Sequence, residues 1–79
     1  MSDPGSSVHQ LDARRLLCPL PVIRTQNMVK NLGKGDELLV IATDPGVMQD
    51  IPAWCRVHGH QVLGAEKRDN EFYIRLLVG

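Results

Sequence analysis

The chain has 79 residues, 43% of them hydrophobic, a length that suits one small domain with a thin core. Nine Lys and Arg offset nine Asp and Glu, so there is no net positive field to hold a phosphate backbone, and nucleic acid is excluded as the direct ligand. The apolar runs fall far short of the roughly 20 residues needed to cross a bilayer, and the N-terminus lacks a charged segment followed by an apolar one, so an unexported, cytoplasmic protein without membrane contact is expected.

In chain order, residues 1–8 begin with small, polar and turn-forming side chains and are expected to be a loose tail, with one domain over residues 9–79. A short strand is predicted over His9–Ala13. From Pro19 to Leu32, Val22, Ile23, Met28, Val29 and Leu32 recur at helical spacing. Pro19 suits the first helical position, Cys18 then becomes the N-cap, and Gly33 supplies the stop. The apolar run Leu38–Ala42 predicts a strand covered on its faces. Asp44 as N-cap and Pro45 at the first position start a second helix that runs to Gly59, with Pro52 expected to kink or restart it. Val47, Ile51, Trp54, Cys55 and His58 mark its buried side. A strand over Gln61–Glu66, a polar turn over Lys67–Asn70 and an alternating strand from Phe72 to Val78 close the chain as a β-hairpin. The order βαβαββ predicts a two-layer α/β sandwich, a four-stranded mixed sheet with both helices on one face.

Two cysteines, Cys18 and Cys55, make no disulfide framework and should stay free thiols. At a helix N-cap, Cys18 would face the positive end of the macrodipole and unpaired amides, which favour the thiolate. Arg14, Arg15 and Arg24 are near in sequence and would add to that preference wherever they point at the sulfur. Against this stands the common role of a free cysteine as a small buried hydrophobe. Cys55, mid-helix beside Trp54, reads as core. Two sharper patterns were weighed. Cys18 and Arg24 have the C-x5-R spacing of cysteine phosphatases, but Pro19 and Pro21 each delete an amide donor from the loop and no glycine lets it curl around an anion. Cys55, His58 and His60 form C-x2-H-x-H, short of the four paired ligands of a zinc site. No metal or cofactor is expected.

LDARRLLCPLPV resembles the L-D-x-x-G-L-x-C-P-x-P motif of the small sulfur-carrier proteins of the TusA or SirA-like family. ATDPGVMQDIPAWC resembles that family's second segment, and the likeness covers about Leu11 to Val78. The resemblance implies a βαβαββ sandwich whose Cys18 carries sulfur as a persulfide, with Pro19 and Pro21 at the motif's proline positions. It implies a donor protein, a cysteine desulfurase or rhodanese, and an acceptor protein thiol. The family's routes are tRNA thiolation, molybdenum cofactor synthesis and sulfur oxidation. The surface around the cysteine, with Leu17, Leu20 and Asp44, is the expected partner-facing region of a monomer that carries sulfur without turnover of its own. Two departures stand out: Arg15 replaces the motif's glycine, and Leu20 fills the variable position between the prolines. The alternative is a thiol-dependent redox or regulatory interaction protein without sulfur cargo.

Overall fold

The computed structural model describes residues 8–79. Within them the chain runs β1 (Val8–Ala13), α1 (Leu20–Val29), β2 (Glu37–Ala42), α2 (Val47–His58), β3 (Gln61–Arg68) and β4 (Glu71–Leu77). The sheet order is β1-β2-β4-β3, with β1 and β2 parallel and the other neighbours antiparallel. This is the predicted four-stranded mixed sheet under two helices that touch each other on one face. Val8 opens β1 rather than ending a tail; the rest of the expected tail lies outside the described residues.

Alternation in the two central strands builds the core. Leu38, Val40 and Ala42 of β2 and Ile74 and Leu76 of β4 are fully buried on the helix side, where Val47, Ile51 and Cys55 of α2 meet them. Helix α1 covers the other end of the sheet, but its buried stripe is rotated from the predicted one. Pro21 and Thr25 are the buried residues and Ile23 is 44% exposed. Thr25 tolerates that position because its hydroxyl donates to the Pro21 carbonyl at 2.8 Å.

Both helices are shorter than their sequence signals. Helix α1 starts at Leu20, with Pro19 as N-cap and Pro21 in the first turn, so Cys18 lies one residue outside the cap. It ends at Val29, and the amides of Asn31 and Leu32 tighten the exit by bonding three residues back, before Gly33. Helix α2 begins at Val47, not Pro45, with Gly46 as N-cap. It passes through Pro52 without interruption and closes at Gly59, whose φ of 79° places it in the left-handed region, while the His60 amide bonds back to the Cys55 carbonyl at 2.8 Å. The hairpin turn narrows to Asp69 and Asn70, because β3 extends to Arg68.

Parallel pairing of β1 and β2 brings the loops that follow them to the same end of the sheet, the place where open α/β sheets hold ligands. Residues 14–19 connect β1 to α1, and residues 43–46 connect β2 to α2. Arg15, at the motif's glycine position, has φ 69°, a conformation that pushes Cβ toward the following carbonyl. Its backbone N–H is held by the Thr43 hydroxyl at 2.9 Å. Arg15→Gly removes a steric cost of about 1–2 kcal/mol and adds about 0.5–1 kcal/mol of unfolded-chain entropy, so urea melts should show a net gain near 0.5–1 kcal/mol. A loss of stability would show that the Arg15 side chain holds the loop.

Candidate functional site

Cys18 is half-buried at the junction of the two loops. Its N–H donates to Asp44 Oδ2 at 2.7 Å, and Gly46 N–H donates to Asp44 Oδ1 at 2.9 Å. The regular helix has Gly46 as its N-cap, yet Asp44 Oδ1 still takes the Gly46 amide at the turn that leads into α2, while Oδ2 ties in the cysteine loop. The sulfur lies over Gly46: a Cβ on that residue would sit 3.1 Å from Cys18 Sγ, 3.3 Å from Asp44 Oδ1 and 3.6 Å from Asp50 Oδ2. Glycine keeps that space for the thiol and two carboxylates. The Cys18–Pro19 peptide is cis.

This surrounding reverses the ionisation expected from an N-cap. The thiol is pushed up to about 12, first by partial burial and then by the carboxylates of Asp44 and Asp50, which interact with the S–H and repel a thiolate. Asp44 is held low by the Cys18 and Gly46 amides, so it stays an anion at neutral pH. The amides at the start of α2 give the sulfur little relief, because Gly46 N–H and Val47 N–H are already bonded to Asp44.

Burial, Asp44 and Asp50 set the Cys18 thiol, and Arg14 is engaged elsewhere. Arg14 grips Asp12 through Nε at 2.9 Å and Nη2 at 3.1 Å and reaches Glu71 through Nη1 at 3.3 Å. Glu71 accepts the Tyr73 hydroxyl at 2.7 Å, and Arg14 holds the Asp12 carboxyl down at about 2. Arg14 is thus a clasp between β1 and β4. Arg15 is exposed and has no carboxylate partner among the described residues. Arg24 is exposed on α1 and makes no ion pair among the described residues. Close to the thiol in the chain, three apolar side chains are exposed: Leu17 73%, Leu20 43% and Ile23 44%, the last a residue of the predicted apolar face of α1.

Cys55 is buried in the core, as its position predicts, and burial alone pushes its thiol up to about 11. His58, predicted on the buried side, is exposed and packs on Trp54 at 5.1 Å between ring centroids, with His60 at 4.9 Å. His60 Nδ1 accepts the Gly79 amide at 3.0 Å. Among the described residues no three His, Cys, Asp or Glu side chains converge as metal ligands. No helix among them is long and apolar enough to cross a membrane.

The sequence model of the TusA sulfurtransferase family matches residues 9–78. This chain belongs to the TusA family. Among curated proteins it is 43% identical over 56 residues to the candidate sulfur carrier protein YrkF of Bacillus subtilis (strain 168), an alignment covering 71% of this chain and 30% of that protein. The TusA-family chain here therefore spans less than a third of that relative's length. Among solved structures it superposes on a SirA-like protein from Desulfitobacterium hafniense with a TM-score of 0.80 at 23% identity, covering 90% of this chain and 97% of the other. The second likeness is one of fold, and it is the βαβαββ sandwich that the order of elements predicts.

Asp50 and Gly46 are the site residues that sequence reasoning missed. Their one signal was topological: adjacent parallel strands put the β1–α1 and β2–α2 loops side by side, which places the first turn of α2 against Cys18.

Proposed function

We propose that this domain is a sulfur carrier: Cys18 takes up sulfane sulfur as a persulfide and passes it to the thiol of an acceptor protein. The observation that carries the reading is membership in the TusA sulfurtransferase family together with a partly exposed Cys18 thiol, with exposed apolar side chains at Leu17, Leu20 and Ile23 nearby in the chain. In the loading step a Cys18 thiolate attacks the outer sulfur of a donor persulfide; the donor S–S bond breaks and the donor leaves as a thiolate. In the unloading step an acceptor thiolate attacks the outer sulfur on Cys18, and Cys18 departs as the leaving group. Each step exchanges one S–S bond for another, so no external oxidant is needed.

The donor is a cysteine desulfurase or a rhodanese, the acceptor is a protein thiol, and the domain works as a cytoplasmic monomer with no turnover of its own. Leu17 and Leu20 face the partner, and Pro19 and Pro21 fix the turn that projects the sulfur. Cold cyanolysis tests the cargo. After incubation with a persulfide donor and removal of small molecules, the wild-type protein should release about one equivalent of thiocyanate and Cys18→Ser none, since cyanide takes sulfane sulfur but leaves a simple thiol unchanged. Equal yields from both proteins would remove Cys18 from the role.

A further inference from the structure

The feature that an exposed sulfur-transfer thiol does not require is the pair of carboxylates against it. Asp44 comes from the β2–α2 loop and Asp50 from the first turn of α2. Both place an oxygen within 3.6 Å of the point, beside Gly46, from which Cys18 Sγ is 3.1 Å away. Nothing on the neighbouring elements offsets them. On the cysteine's own loop, Arg14 is consumed by Asp12 and Glu71, and the field of Arg15 falls on Asp12. Arg24 of α1 is exposed to solvent, which screens it. The α2 N-terminus contributes only a fractional positive charge, and its first amides already bond to Asp44. A reagent that reaches Cys18 meets two carboxylates beside the sulfur.

We infer that Asp44 and Asp50 make Cys18 a charge-selective sulfur site that exchanges with sulfur groups carried beside a positive charge and rejects anionic thiols and persulfides. Its biological meaning rests on the sulfur-carrier reading, but the selectivity itself is a property of the thiol. The partner that fits is a protein presenting its reactive sulfur next to Lys or Arg, with apolar contact for Leu17, Leu20 and Ile23. A cation between the two carboxylates neutralises them and lets the Cys18 proton leave when the partner is seated. An anionic small thiol, such as a γ-glutamyl tripeptide, meets repulsion instead, so sulfur held on Cys18 is shielded from it. A unit charge about 5 Å from a near-surface carboxylate changes the local reagent concentration by roughly four- to tenfold, in opposite directions for cation and anion.

The test uses two thiosulfonates with the same leaving group, trimethylammonioethyl methanethiosulfonate and sulfonatoethyl methanethiosulfonate. Each reacts with the whole protein while intact mass is followed, and each rate is divided by that of the same reagent with a small neutral thiol. The Cys18 thiolate attacks the sulfenyl sulfur, the reagent's S–S bond breaks, methanesulfinate leaves with the electron pair, and the Cys18 proton goes to solvent. Cys18→Ser supplies the background from Cys55. The normalised cation-to-anion ratio should be at least about tenfold at low salt and should shrink severalfold at molar salt, where the screening length falls to about 3 Å. Asp50→Asn should also cut it severalfold; the Cys18 and Gly46 amides bond to Asp44 and not to Asp50, so this variant keeps the Asp44 tie intact. A normalised ratio near one, or a ratio that Asp50→Asn leaves unchanged, overturns the inference. These reagents carry no sulfane sulfur, so a protein that shows the ratio yet never loads persulfide would overturn the carrier reading alone.

Discussion

A neutral disulfide such as dithiodipyridine is expected to react with Cys18 roughly fiftyfold more slowly at neutral pH than with an unperturbed cysteine. The thiol titrates at about 12 instead of its ordinary 9.0. A thiol is neutral when protonated, and burial together with two adjacent carboxylates penalises only the anion, so the shift is upward. Three units remove about a thousandfold of thiolate at pH values below both constants, while the higher basicity returns a factor near twentyfold through the Brønsted slope of about 0.4–0.5. The logarithm of the rate should climb by about one per pH unit from pH 7 to beyond pH 10 without levelling. A plateau near pH 9, the range of a free thiol, would contradict the arrangement of Asp44 and Asp50 around the sulfur. Cys55 is fully buried and reacts on unfolding, and Cys18→Ser subtracts it.

Ile74→Ala should lower the thermal midpoint by roughly 10–25 °C. Ile74 is fully buried on β4, one of the two central strands, opposite Val40 on one side and Ala65 on the other. Truncating a buried isoleucine costs about 2–5 kcal/mol, because the lost transfer energy is joined by a cavity that the sheet cannot close. A domain of 79 residues has about 4–12 kcal/mol in all, so the variant retains a fraction of it or unfolds outright. Val57→Ala on α2, where the side chain is 78% exposed, is the matched control and should change stability by less than about 0.5 kcal/mol. Melting of the two variants followed by circular dichroism decides the matter; an Ile74→Ala midpoint within about 2 °C of wild type would place the core elsewhere.

Most of the fold is legible because the chain is clearly punctuated. Gly33-Lys34-Gly35, Thr43-Asp44-Pro45 and Gly59 separate the elements, and the Leu38–Ala42 run has the length and residue types of a covered strand. Element ends are less legible. Pro19 and Pro21 both suit a first helical turn, and local rules favour the first of them. The structure starts α1 at Leu20, the Pro19 carbonyl accepting the first helical bond from the Ile23 amide at 3.1 Å, while the Cys18 amide bonds to Asp44, 26 residues away. Asp44 keeps a bond at the entrance of α2 through Oδ1 to the Gly46 amide, but its other oxygen is spent on Cys18, which its place before Pro45 does not suggest. Ile23 is exposed where the spacing predicts an apolar face, and Thr25 is buried instead, its hydroxyl satisfied by the Pro21 carbonyl of its own helix.

The chemistry of the site was legible in identity and not in sign. The placement of Cys18 before two prolines marks the thiol, and the family motif marks it again. Its ionisation depends on burial and on Asp44 and Asp50, whose approach to the sulfur is purely tertiary, while Arg14, near in sequence, is spent on Asp12 and Glu71. Arg15 shows the complementary case. The motif's glycine position does require a left-handed backbone, and this chain meets it with an arginine at φ 69°, held through its amide by Thr43.

The central claim is that Cys18 holds sulfur. Its most direct measurement is the intact mass of the protein after incubation with a cysteine desulfurase and cysteine, beside the Cys18→Ser variant treated identically. The account predicts a gain of about 32 Da, one sulfur atom, that reductant removes and that Cys18→Ser never acquires. An unchanged mass with both a desulfurase and a rhodanese as donor, or the same gain in Cys18→Ser, would contradict it.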